Sequence, residues 1–251
     1  MKTEQILGVE FFNGSAEDAV AQMLARGGLL VVPAAPALVN ICYDARYREA
    51  LLRADMAIAD SGIMVLLWRF IRHRRVSRIS GLTYLIRLLR RAELREAGAA
   101  FFVLPTSAAA EKARTWLRDG GFEVTSRNCY VAPQYGADTA DAELVALLAR
   151  EEPSHIVVGL GGGVQEKLGL YLRESLDYRP AIHCIGAALG FLTGDQKPIP
   201  LWADRLYLGW LLRLARNPRL YLRRFWIAHE LPGLIWRYGA ELPPLESRSA
   251  G

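Results

Sequence analysis

The chain predicts an α/β fold, a Rossmann-like and mainly parallel sheet flanked by helices, with a C-terminal amphipathic helical appendage. Three observations predict it. Short apolar runs alternate with segments of helical period through the first 200 residues. A glycine turn, Gly159-Leu160-Gly161-Gly162-Gly163, separates an apolar run from a helix-like stretch, the order of a strand-to-helix turn in a parallel sheet. Beyond Gly194 the composition shifts to Trp, Leu, Tyr and Arg at helical spacing.

The expected strands are Ile6–Phe12, Leu29–Val32, Met56–Ala59, Ala99–Leu104, Phe122–Thr125, His155–Leu160 and Ala181–Ile185, each a short apolar or alternating run. Ser15 and Asp18 form a capping box that starts a helix reaching about Ala25. Further helices are expected over Pro36–Arg53, Gly62–Arg69, Leu82–Ala97, Ser107–Arg118, Thr139–Arg150 and Val164–Ser175. Pro198-Ile199-Pro200 breaks the pattern, since proline is excluded from helix interiors. The expected organisation is therefore an α/β domain over 1–200, a basic amphipathic appendage over 201–238 and a frayed tail over 239–251.

Composition narrows the function classes. The 251 residues suffice for one large domain with a substantial core. Cys42, Cys129 and Cys184 are scattered in apolar sequence, so buried reduced thiols are expected rather than a disulfide framework or a zinc site. His73, His155, His183 and His229 show no metal-ligand spacing and no Asp-x-Asp occurs, so neither metal nor cofactor is expected. Apolar stretches fall short of the roughly 20 residues a membrane span needs, and no secretory signal is expected at the start.

Charge is uneven. The formal net charge is +5, yet the span from Arg205 to Arg237 holds seven arginines against one acid, Glu230. Arg213, Arg216, Arg219, Arg223 and Arg224 interleave with Trp210, Tyr221, Phe225 and Trp226. Arginines beside aromatics on an amphipathic helix suit an anionic membrane surface. A helix packed on its own domain explains the same pattern, and the aromatics equally suit a protein contact, including a homo-oligomer. No nucleic acid partner is expected, because no reading module accompanies the basic stripe.

Two loops carry candidate chemistry. Asp60 ends an apolar strand and opens the turn Asp60-Ser61-Gly62, where α/β enzymes place catalytic groups. It suits a general base, and equally an N-cap of the following helix. Arg72 to Gly81 is a basic loop in which Arg78 is best placed to clamp a diphosphate, Gly81 allowing a tight turn at the helix start. The glycine turn ends in Gln165-Glu166. It is not a Walker loop, having no Lys-Ser/Thr, and it lacks the G-x-G-x-x-G spacing of a dinucleotide site. Its backbone N–H groups can still approach a phosphate at a helix N-terminus.

In order, these blocks resemble the WecG/TagA/CpsF glycosyltransferases of bacterial surface polysaccharide synthesis. The resemblance runs from about Ile6 to Arg224. It covers Leu7–Ser15, Ala54-Asp55 with Asp60-Ser61-Gly62, Ser77-Arg78-Ile79-Ser80-Gly81 (similar to E-R-x-x-G) and Leu160–Glu166 (similar to L-G-x-P-x-Q-E). It ends with Gly186, Gly194, Pro200-x-Trp202 and Gly209–Pro218. It implies an inverting, metal-independent transfer from a UDP-sugar to a polyprenyl-diphosphate-linked acceptor, by a cytoplasmic protein peripheral to the inner face of the plasma membrane. Asp60 would be the general base. Arg78, Gly81, Gly161, Gly162, Gln165, Glu166 and Gly186 would face the nucleotide-sugar. Arg213, Arg219 and Arg223 would belong to an appendage that closes the site and touches the membrane.

The chain also departs from the pattern. Where the family carries T-x-N-P-E, this sequence reads Pro33-Ala34-Ala35-Pro36-Ala37, which removes a hydroxyl, an amide and a carboxylate. Pro-Lys before Gln-Glu is Gly163-Val164, E-W is Gly209-Trp210, R-A-P is Pro198-Ile199-Pro200, and Leu220 replaces an appendage arginine beside Arg219. Loss of a polar cluster implies altered specificity. The alternative is a non-catalytic relative that serves as a binding or scaffolding subunit. A nicotinamide enzyme fails on glycine spacing.

Overall fold

The computed structural model describes residues 2–136, 138–196 and 228–246. Its strands are β1 (Thr3–Ile6), β2 (Val9–Phe12), β3 (Gly28–Val31), β4 (Met56–Ala57), β5 (Ala100–Leu104), β6 (Cys129–Val131), β7 (His155–Val158) and β8 (Ala181–Cys184). They form one sheet in the order β1-β2-β4-β3-β8-β7-β5-β6. Only the β1–β2 pair is antiparallel among the described strands. The Rossmann-like α/β class expected from the alternation is the observed one.

Period-two alternation assigns each strand residue to one of two cores. Leu29, Val31, Phe101, Val103, Ile156, Val158, Ile182 and Cys184 face the first. Leu30, Val32, Phe102, Leu104, Val157 and Ala181 face the second. The first core is covered by α2 (Ala35–Leu38), α3 (Ala45–Leu52), α4 (Gly62–Arg72), α7 (Ala142–Glu151), α8 (Val164–Ser175) and a last helix, α10 (Leu231–Tyr238). The second is covered by α1 (Ala16–Arg26), α5 (Gly81–Leu89), α6 (Ser107–Asp119) and α9 (Ala188–Leu192). Strands buried on both faces explain why β3, β5 and the Ile156–Val158 part of β7 appear in the sequence as unbroken apolar runs, whereas β8 carries the buried His183 in its middle.

The strand-to-helix connections place the ligand crevice. After β3 the chain turns to the first face, after β8 to the second and after β7 to the first again. Connections that diverge to opposite faces open a cleft at the carboxyl ends of the strands. Here that divergence falls between the ends of β3 and β8 and between those of β8 and β7, with β4 next to β3.

Several expectations are corrected. Ile6–Phe12 is not one strand but the turn and second arm of a hairpin, with Leu7 and Gly8 both at positive φ, 50° and 81°, the type I′ signature. The left-handed conformation costs a leucine about 1–2 kcal/mol. The C-terminal segment holds it: Leu7 N donates to Gly239 O and Gly8 N to Ala240 O, at 2.8 and 2.9 Å. Glu246 N also donates to Cys42 O. Residues 239–246 therefore dock on the hairpin at Gly239 and Ala240 and on the Cys42–Arg48 region at Pro243 and Glu246, while 247–251 lie outside the described residues.

Phe122–Thr125 is loop, and the edge strand is Cys129–Val131. Phe122 and Val124 are apolar because they fill the second core. The expected Pro36–Arg53 helix splits into α2, a 3-10 turn at Val39–Cys42 and α3, because Asp44 N-caps α3 through Tyr47 N. Similarly, the helix expected to reach Ala97 ends at Leu89 and is followed by a 3-10 turn, Ala92–Arg95. Thr139–Arg150 starts instead at Ala142, capped by Asp141. The appendage expected over 201–238 is described only from Ala228 onward.

Candidate active site

Asp60 lies just past β4, where Ala59 forms an isolated parallel bridge with Arg78. It does not cap its own helix. Ser61 does, its hydroxyl accepting from Met64 N. Asp60 instead reaches across to α5, Oδ1 accepting from Gly81 N at 3.0 Å. Ser80 caps that same helix through Thr83 N. Asp60 is half-buried, and among the described residues its Oδ2 has no hydrogen-bond partner. One carboxylate oxygen is thus anchored to a helix N-terminus, and the other is held by none of the described residues.

Arg78 completes the corner. Its Nε donates to the main-chain oxygen of Asp60 at 2.9 Å, and Ile79 N donates to Ala59 O at 3.1 Å. Gly81 sits in close approach: a Cβ there would stand 3.1 Å from Ile185 O, tighter than most such contacts, and 3.5 Å from Val32 Cγ1. The basic loop is thereby pinned against the ends of β3 and β8, and Asp60, Arg78 and Gly81 form one cluster.

The glycine turn supplies the other end of the crevice. Gly161 O accepts from Val164 N and Gln165 N at the start of α8. Gly161 and Gly162 are exposed, and their N–H groups have no partner among the described residues. Their position before a 12-residue helix suits anionic oxygens. A Cβ on Gly162 would meet Ala37 Cβ at 3.5 Å. The apolar replacement at Pro33–Ala37 therefore lies beside the glycine turn, and α2 has no side-chain cap at Ala34.

Gln165 and Glu166, which the resemblance has facing the nucleotide-sugar, end the glycine turn on its inner side. Both are buried, at 1% and 0% exposure. Gln165 Oε1 accepts from Gly186 N at 2.7 Å and its Nε2 donates to Glu166 Oε1 at 3.1 Å. Glu166 Oε2 accepts from Gly163 N at 2.6 Å. Burial pushes the Glu166 carboxyl above its ordinary pKa, partly opposed by these donors. Gly186 thus joins the site through its backbone. Arg213, Arg219 and Arg223 lie outside the described residues.

One feature of this edge had no sequence expectation. A cavity of about 700 Å³ opens past β6, lined by Tyr130, Tyr135, Asp141 and neighbouring loop residues. Tyr135 donates to Asp141 Oδ2 at 2.6 Å, and Tyr130 to the same carboxylate at 3.1 Å. Four strands separate β6 from β4, about 24 Å at the usual spacing, so this cavity is not the surroundings of Asp60. The signal in the sequence was the apolar Cys129-Tyr130-Val131 run, obscured by the strand expected at Phe122–Thr125.

Among the described residues no group of three His, Cys, Asp or Glu side chains has metal-binding geometry. No individually curated protein matches the chain. A family model described as the glycosyl transferase WecG/TagA/CpsF family matches residues 4–246. That match spans the hairpin, the Asp60–Arg78–Gly81 corner, the glycine turn and the docked C-terminal segment, and the chain belongs to the WecG/TagA/CpsF family of glycosyltransferases.

Proposed function

We propose that this glycosyltransferase moves a sugar from a UDP-sugar to a polyprenyl-diphosphate-linked acceptor, with inversion at the anomeric carbon and no metal ion. The observation that carries the proposal is the row of groups along the carboxyl edge. Asp60 offers at the end of β4 an oxygen with no partner among the described residues, and the N–H groups of Gly161 and Gly162, likewise without partners among them, stand past β7. Three strand intervals separate them, about 14 Å, a span suited to a hexose and its diphosphate end to end.

In this arrangement Asp60 Oδ2 takes the proton of the acceptor hydroxyl as its oxygen attacks the anomeric carbon. The bond from that carbon to the diphosphate oxygen breaks on the opposite side, and UDP leaves with the electron pair. Arg78 and the glycine N–H groups stabilise charge on the departing diphosphate. Gly81 acts only through its backbone, holding the base. The apolar Pro33–Ala37 segment beside Gly162 removes polar contacts from the middle of the crevice, which redirects specificity for sugar or acceptor.

A membrane-bound acceptor requires the protein to reach a lipid surface. Among the described residues no helix is long and apolar enough to cross a membrane. Phe70 on α4 and Trp236 on α10 are 71% and 72% exposed. The two helices pack together, with Arg72 donating to Trp236 O at 3.5 Å. Arg69, Arg72, Arg75 and Arg237 are exposed on the same helices and the loop between α4 and α5. This aromatic and basic surface supports peripheral docking on the inner face of the plasma membrane.

The test is a thermal-shift panel of UDP, UDP-glucose, UDP-GlcNAc, UDP-ManNAc and GDP-sugars, followed by UDP release with a membrane-extracted lipid acceptor. Asp60→Asn keeps an acceptor for Gly81 N–H but cannot take a proton. It is expected to bind the donor normally and to lose about 10²–10⁴-fold in turnover. Near-normal turnover in that variant would remove Asp60 from the mechanism.

A further inference from the structure

We infer that Gln165 and Glu166 are positioning residues: they form a buried brace that ties the β7–α8 turn to the β8–α9 turn and touch no substrate. The inference rests on the donor-binding reading above and changes the part these two residues play in it. Three hydrogen bonds define the brace, Gly163 N to Glu166 Oε2, Gln165 Nε2 to Glu166 Oε1, and Gly186 N to Gln165 Oε1.

The polarity of this chain is fixed by chemistry. A backbone N–H only donates, so Gly186 must face the Oε1 end of the Gln165 amide, which turns Nε2 towards Glu166 Oε1. No flipped amide satisfies both neighbours. Gly163 and Gly186 sit at positive φ, 93° and 61°, conformations that glycine reaches readily but whose choice needs an external hold. The brace supplies that hold at both turns. Cys184 Sγ, donating to Gln165 O at 3.2 Å, secures the same point from β8. The outcome is a fixed Gly161–Gly163 loop whose first two N–H groups, on exposed residues and without partners among the described residues, are held ready as preorganised anion donors.

Glu166 is enclosed by groups that bear on its charge. Tyr47 from α3 and Cys184 from β8 both feel it, and Lys167 on its own helix pairs with Asp44 at 3.0 Å. Exchanging the two side chains therefore makes a sharp test. In Glu166→Gln, the new amide nitrogen meets Gln165 Nε2 or forces Gln165 to turn a donor on Gly186 N–H. In Gln165→Glu, two carboxylates meet and must share a proton. In the double exchange Gln165→Glu/Glu166→Gln, the carboxylate now at position 165 accepts from Gly186 N and from the amide nitrogen at position 166. The amide oxygen at position 166 then accepts from Gly163 N. Every bond and the net charge are restored.

The experiment combines amide hydrogen exchange of peptides containing Gly163 and Gly186, without ligand, with UDP titration by calorimetry at pH 6 and pH 8. Each single variant is expected to lose protection at both turns and to weaken UDP binding by about tenfold or more. The Gln165→Glu loss should be smaller at pH 6, where a shared proton is available. The double exchange should recover both readouts. Recovered protection with UDP binding still lost would mean that the Gln165 amide touches the donor, and it would overturn the inference. Unchanged UDP binding in the singles would reduce the pair to a packing role and overturn it equally. If a single variant does not fold, the double exchange against wild type decides. Wild type that shows no UDP binding would count against the donor reading alone, leaving the exchange data to judge the brace.

Discussion

Acid should unfold this protein through a buried histidine that the proposed chemistry does not use. His183 on β8 is fully buried, with Nδ1 2.8 Å from the Tyr84 hydroxyl and Nε2 3.4 Å from His155 Nδ1. Burial, helped by the neighbouring His155, holds its pKa well below the usual histidine value. The native state therefore keeps His183 neutral, while the unfolded chain takes up a proton below about pH 6.5. The stability tied to the neutral ring is complete above pH 6.5 and is lost as pH falls below it. At pH 5.5 the unfolded histidine gains about RT ln 11, roughly 1.4 kcal/mol, that the native ring does not.

His183→Gln keeps a polar partner for Tyr84 and removes the titration. For a chain of this size about 1 kcal/mol moves the melting temperature by roughly 2–4 °C. Going from pH 7.5 to 5.5, wild type should therefore lose roughly 3–6 °C more than the variant, read by circular dichroism melts. His155 is also depressed by burial, but it is present in both proteins and largely cancels in the comparison. Equal acid sensitivity of the two proteins would refute the reasoning.

Two further outcomes follow from the site and its surroundings. Asp60→Ala leaves Gly81 N–H without its acceptor, at a cost of about 1–3 kcal/mol. It should melt below Asp60→Asn, and equal melting temperatures would mean that the Gly81 bond carries no stability. Replacing Phe70 and Trp236 together with alanine should leave the melting temperature near wild type, because both side chains are exposed. Co-sedimentation with anionic vesicles should fall by about tenfold or more, since each buried aromatic ring is worth about 1.5–3 kcal/mol. Undiminished binding would move the membrane contact elsewhere.

Much of the fold was legible because burial on both faces leaves strands of unbroken apolar residues, as in Phe101-Phe102-Val103 and Ile156-Val157-Val158. The misplaced edge strand shows the limit. Phe122-Glu123-Val124-Thr125 alternates like a strand, yet its apolar residues serve the second core from a loop. The break before α3 turned on the single cap Asp44, and the hairpin turned on Leu7, a residue with no local preference for positive φ. Its conformation is held by Gly239 and Ala240, more than 200 positions away, and no local pattern encodes such a contact.

The site divides in the same way. Sequence order alone singled out Asp60, Arg78, Gly81 and the glycine turn as strand-end positions, and the structure joins the first three by hydrogen bonds. Whether Asp60 caps its own helix was a tertiary matter: Ser61 caps α4, and Asp60 Oδ1 accepts from Gly81 N on α5 instead. The direction of Gln165 and Glu166 was likewise beyond the sequence. A polar pair after a glycine turn suits a ligand as well as it suits a core. Only the approach of the β8–α9 turn, which brings Gly186 N–H to within 2.7 Å of the Gln165 amide, decides that these side chains point inward.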